Sequence, residues 1–256
     1  MPARGTGVLR LRGRDGPVRA ELAWPAGQPA AVVVFVGDAH GPLVCRVLGE
    51  RLQAVTLEAA CATARDAARV LEWVADHAGE LGGAPQQLLI ASVHTGGWLA
   101  ACLAARAGTD RWPPIALQLL IHPHFLPLGT VSAPHGVAAA AIISRDAAGR
   151  AYAERLRRAG VRVALLDRSD PFGSPTPCAA RDEQLRELAA AAQQLTVAIV
   201  HRRARSPLPA SGDEAGDRQR DARSERVRGD EAMDSVEVEH DVLLRGRRGP
   251  RQPTQA

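Results

Sequence analysis

The sequence predicts an α/β protein with a three-layer, doubly wound, mostly parallel sheet and helices on both faces. Three observations point there. Short apolar, β-branched runs recur between residues 8 and 200 without strict alternation, as expected for strands covered on both faces. Amphipathic stretches with a helical repeat lie between them. An alternating pair of strands precedes both, so the order is two strands and then successive β-α units.

The elements follow in chain order. Residues 9–12 (Leu-Arg-Leu-Arg) and 18–24 alternate apolar and polar side chains and read as an antiparallel opening pair. Residues 31–36 (Ala-Val-Val-Val-Phe-Val) form the first continuous apolar strand. Residues 63–80 place Ala67, Val70, Leu71 and Val74 on one helical stripe. Strands are then expected at 87–91, 116–121, 139–143 and 161–166, and helices at 98–105, 149–159 and 179–195. The composition changes after residue 200. There Arg, Asp, Glu, Ser, Gly and Pro dominate, too little apolar surface remains to offset ordering entropy, and a charged, disordered tail over 201–256 is expected beside a folded domain over 1–200.

Charge excludes less than it suggests. The formal net charge is +4, but all 32 basic residues are Arg and there is no Lys. This Ala- and Arg-rich composition looks like a codon effect, so it argues weakly for nucleic-acid binding, and none is expected. At 3% aromatic residues, stacking platforms for single strands are poorly supported as well. No apolar run reaches the roughly 18–20 residues of a membrane span, and no secretory leader is visible. Cys45, Cys61, Cys102 and Cys178 are scattered without metal spacing, which fits reduced thiols in a cytoplasm. No cofactor is implied: no phosphate-binding glycine loop occurs. His122 and His124, with His135 further on, could converge on a metal, but a strand-end histidine and loop histidines over the sheet is the simpler reading.

The densest motif is strand, turn and helix. Leu88-Leu-Ile-Ala-Ser-Val-His-Thr-Gly-Gly-Trp-Leu-Ala-Ala101 follows a helix ending in Glu80-Leu-Gly-Gly-Ala-Pro85. Ile115-Ala-Leu-Gln-Leu-Leu-Ile-His-Pro123 and Gly149-Arg-Ala-Tyr-Ala-Glu-Arg-Leu-Arg-Arg-Ala-Gly-Val161 come after it. In this order the blocks resemble the hormone-sensitive-lipase-like esterase group of the α/β-hydrolases (fold-3), over roughly residues 15–198. That resemblance implies an α/β-hydrolase fold with a minimal cap, carboxylester substrates, and a nucleophile on a sharp turn at the top of the sheet.

The resemblance does not bring the family's chemistry with it. The position where the group has its elbow Ser is His94, while the elbow glycines Gly96 and Gly97 remain. The glycine-rich oxyanion stretch is shortened to a loop containing Gly37, His40 and Gly41, and Pro42 lacks the N–H that a further donor would need. Asp146 lies near the acid position of the triad, although the gap-free match puts Ile143 or Ser144 there. Asp170 or Pro171 falls where the triad His would be. Hydroxyl activation needs an adjacent base, so a catalytically impaired hydrolase that binds a small apolar, ester-like ligand is the first reading. An atypical ester hydrolase using Ser92, Cys102 or His94 is the second, and an interaction protein working through its tail the third; any protein partner is unspecified. A shallow or closed cleft is expected over His94.

Overall fold

The computed structural model describes residues 5–13, 16–37, 40–61, 63–84, 87–125, 137–172 and 178–205, with side chains described as far as residue 195. The expected tail beyond residue 205, and His135, lie outside the described residues.

Eight strands form one sheet: β1 (Gly5–Arg12), β2 (Pro17–Trp24), β3 (Ala31–Val36), β4 (Ala54–Ala59), β5 (Leu88–Val93), β6 (Ile115–Ile121), β7 (Ala139–Ile143) and β8 (Val163–Leu166). Their spatial order is β1-β2-β4-β3-β5-β6-β7-β8. β2 runs antiparallel to both β1 and β4, and every pairing from β4 to β8 is parallel. All six residues of β3 and of β5 are buried, as their unbroken apolar runs require of central parallel strands.

Five helices cover the sheet: α1 (Gly41–Leu52), α2 (Ala64–His77), α3 (Gly96–Asp110), α4 (Ala147–Arg158) and α5 (Cys178–Arg205). The pleat divides the core between the two faces. Val33, Phe35, Leu117 and Leu119 pack with Val44 and Leu48 of α1 and Leu185 and Leu188 of α5. Val32, Val34, Ile90 and Ile142 pack with Leu71 and Val74 of α2, Ala100 and Leu103 of α3, and Leu156 of α4. A polar bridge stands within this apolar interior: the Tyr152 hydroxyl donates to Gln118 Oε1 at 2.9 Å, and Gln118 Nε2 donates to the Ala138 carbonyl at 2.9 Å. Both side chains are buried, and the bridge meets their hydrogen-bonding demand.

Two of the helix starts are set by the sequence in the ordinary way. Thr63 caps α2 by accepting from the Asp66 amide at 3.1 Å, and Asp146 caps α4 by accepting from the Gly149 amide at 2.6 Å. The starts of α1 and α3, which follow β3 and β5, have no side-chain cap.

Several elements differ from the sequence reading: α1 was not among the expected helices, β1 begins at Gly5 rather than residue 9, and α2 ends at His77 rather than residue 80. β4 was not among the expected strands: Thr56 and Glu58 interrupt its apolar pattern, yet β4 is held between β2 and β3. α3 begins at Gly96 and runs to Asp110, beyond the expected 98–105 at both ends. α5 continues to Arg205, so the division expected after residue 200 falls within a helix.

Candidate active site

β5 ends at Val93 and α3 begins at Gly96, leaving His94 and Thr95 as the whole connection. His94 adopts φ +45°, a left-handed conformation that non-glycine residues seldom take. Backbone hydrogen bonds hold it there: its amide donates to the Ile121 carbonyl at 3.0 Å, and its carbonyl accepts from Gly97 at 2.9 Å and His124 at 2.8 Å. The turn is tight because the next residues are glycine. A Cβ on Gly96 would sit 2.5 Å from the Val36 carbonyl oxygen, and one on Gly97 would overlap Pro123. The expected elbow is therefore present, with an imidazole at its apex.

The His94 ring has a specific partner. Its Nε2 lies 2.9 Å from Asp170 Oδ2, and the Asp170 Oδ1 accepts from the Phe172 amide at 2.9 Å. Burial acts to raise the Asp170 carboxyl, but the Phe172 amide and the neighbouring His94 and His122 outweigh it and hold it below the usual carboxylate value. An ionised carboxylate only accepts, so His94 Nε2 carries the donated proton and Nδ1 keeps the lone pair of the neutral ring. Asp170, expected at the position of the triad histidine, thus reaches the elbow directly, and the order of imidazole and carboxylate is reversed.

Aromatic rings crowd over His94. His124 stacks on it with centroids 5.1 Å apart, and His40 and Phe172 present edge contacts at 5.7 and 6.1 Å. His40 and Phe172 in turn stack on each other at 4.2 Å. The His94 side chain keeps 17% of its surface exposed.

The other expected residues disperse. Asp146 does not meet Asp170 or His94; it caps α4 and lies 3.6 Å from His122 Nδ1. His122, with φ +43° at the end of β6, donates from Nε2 to the Arg168 carbonyl at 3.0 Å. In the shortened loop, Gly37 lies beside Gly96, and His40 is the residue before α1 and contributes its ring rather than a row of glycine amides. Gly41 packs on the Glu58 carboxyl group, whose proton affinity is raised by burial and by Glu21 across the strand pair.

The two other side chains expected as possible nucleophiles, Ser92 and Cys102, lie within β5 and α3. Ser92 is fully buried within β5, and its Oγ has no hydrogen-bond partner among the described residues. Cys102 lies along α3, and burial raises its thiol, which disfavours the reactive thiolate. Cys45 is raised further by burial and Glu58, and Cys61 is pushed up to about 11 by burial and Asp66. Among the described residues no three His, Cys, Asp or Glu side chains converge as a metal site, and no helix is long and apolar enough to cross a membrane.

The strand order, the strand–elbow–helix unit and the carboxyl-end position of the site define the α/β-hydrolase fold. The comparisons agree. A family model described as alpha/beta hydrolase fold matches residues 58–148. The esterase LipW from Mycobacterium marinum superposes with a TM-score of 0.64 at 22% identity, over 76% of this chain and 82% of that one. An esterase from the archaeon Pyrobaculum calidifontis gives 0.64 at 20% identity, over 78% and 87%. A bacterial heroin esterase gives 0.63 at 16%, over 75% and 84%. No curated protein sequence matches. The chain is an α/β-hydrolase-fold protein similar to the fold-3, carboxylesterase-like group.

Proposed function

We propose that this chain is a carboxylesterase-like α/β-hydrolase impaired in serine-based ester hydrolysis, retaining a narrow site for a small, apolar, ester-like ligand. One observation carries the reading: the elbow apex holds His94 bonded to Asp170, where an acyl-enzyme mechanism needs a hydroxyl bonded to an imidazole. The shortened loop at Gly37, His40 and Gly41 adds to it, since losing one oxyanion donor typically lowers turnover about 100–1,000-fold. Asp146 caps α4 through Oδ1 and faces His122, not His94, through Oδ2. Cytoplasmic residence fits the four free thiols.

Treatment of the full chain with a fluorophosphonate probe tests the reading. No serine should be labelled, and ethyl butyrate should be hydrolysed at the buffer rate. Stoichiometric labelling of any serine would overturn it.

A further inference from the structure

Three arrangements invite a further reading. α4 carries Arg150, Arg155, Arg157 and Arg158, but Arg158 already pairs with Glu154 and Arg150 donates to the Arg145 carbonyl. Glu58 faces Glu21 across the β2–β4 pair, but Glu21 is already paired with Arg19. The His94–Asp170 pair is different, because it joins a positioned imidazole to an ionised carboxylate at the apex of the elbow.

Resting on the loss of the serine route, we infer that His94 itself is an acyl acceptor for activated esters, with Asp170 as its positioning residue. The geometry meets the requirements for such a group. The Nε2–H is committed to Asp170 at 2.9 Å, so in the neutral ring the Nδ1 lone pair is the nucleophile. Among the described residues Nδ1 makes no hydrogen bond. The φ of +45° and three backbone hydrogen bonds fix the apex, and the His124 and His40 rings limit rotation. α3 begins two residues beyond His94 with no side-chain cap, so the positive end of its dipole lies at the elbow.

The step balances with water as the only co-reactant. Nδ1 attacks the ester carbonyl carbon and an N–C bond forms. The tetrahedral adduct collapses, the C–O bond to the leaving group breaks, and the phenolate departs with its electron pair. The acyl-imidazolium left behind is stabilised by Asp170 through Nε2–H. Water then adds to the acyl carbon and gives up one proton to solvent, where it neutralises the departed phenolate; the N–C bond breaks with its electron pair returning to Nδ1, and the carboxylic acid leaves carrying the other proton of the water. An imidazole expels a phenolate readily and an alkoxide poorly, so the substrate class is aryl and similarly activated esters, while alkyl esters remain untouched.

The test uses p-nitrophenyl acetate and the full chain. Acid-quenched protein should carry an acetyl group on the peptide containing His94, and hydroxylamine should remove it. His94→Asn is the variant of choice because Asn tolerates the left-handed conformation. It should lower p-nitrophenolate release by at least about 100-fold, while His77→Gln, on α2, leaves the rate unchanged. Asp170→Asn keeps an acceptor for Nε2–H but removes the charge. It should lower kcat for p-nitrophenyl acetate roughly 10-fold with KM unchanged, a split that a purely structural role would not give. An unchanged rate in His94→Asn, or an acetyl group only on other residues, overturns the inference. Fluorophosphonate labelling of a serine would instead overturn the reading it rests on, so the two failures are distinguishable.

Discussion

Replacing Gly96 with alanine tests whether the elbow is as tightly built as the site requires. The added Cβ would lie 2.5 Å from the Val36 carbonyl oxygen, 3.0 Å from Gly37 Cα and 3.3 Å from Ser92 Cβ. Favourable separations between such atoms are about 3.5–4.0 Å, so the Val36 contact must open by roughly 1 Å. Val36 ends β3, which is hydrogen-bonded to β4 on one side and β5 on the other, and Ser92 belongs to β5 itself. None of these is the end of a flexible side chain, so the whole start of α3 must shift. Overpacking of this kind costs about 1–3 kcal/mol, and rigid backbone on both sides puts Gly96→Ala at about 3 kcal/mol. For a domain of this size that lowers Tm by about 6–12 °C. Gly79→Ala is the matched control: nothing lies within 4 Å of its added Cβ and its φ is not left-handed, so it should be neutral or add about 0.4–1 kcal/mol. Urea unfolding followed by circular dichroism measures both. A Gly96→Ala protein within about 0.5 kcal/mol of the parent would refute the packing argument, since that is the size of an ordinary surface change.

Further outcomes follow from the same structure. Tyr152→Phe strands the Gln118 carbonyl oxygen in a buried setting and should cost about 1–3 kcal/mol in urea unfolding. The Asp170 carboxyl is held below its unfolded value of 3.8, so its contribution is complete above that pH and is lost as pH falls through the folded value. Asp170→Asn should therefore flatten the stability profile below about pH 4, as read by unfolding at a series of pH values. Glu58 behaves oppositely: its proton affinity is raised, so the folded state is disfavoured as pH climbs above the unfolded value of 4.5. Glu58→Gln should stabilise the protein at pH 7 by no more than about 0.5 kcal/mol, because solvent screens a half-exposed carboxylate, and the gain should vanish in acid.

The parts of the fold that could be read from sequence are those governed by local pattern. β3 and β7 occupy the expected 31–36 and 139–143 because each is an unbroken apolar run. β4 escaped because Thr56 and Glu58 disrupt that pattern; neighbouring strands, not local preference, make it a strand. At the site, a histidine followed by Gly96 and Gly97 at the end of a strand was legible from residues 92–97 alone. The His94–Asp170 bond was not, because it joins residues 76 apart that only the packing of the loop after β8 onto the end of β5 brings together. The same holds for His40. Its place in the shortened loop before Gly41 carries no signal of its stacking on Phe172, far along the chain.

The central claim is that the scaffold keeps its elbow while the hydroxyl and imidazole of a serine hydrolase are replaced by the reversed pair His94 and Asp170. The most direct measurement is fluorophosphonate labelling of the parent beside a variant combining His94→Ser with Asp170→His. One change shortens the side chain at 94 and the other lengthens that at 170, so the span now closed at 2.9 Å stays bridgeable. The account predicts an unlabelled parent and a double variant labelled at position 94. A labelled serine in the parent, or a double variant as inert as the parent, would contradict it.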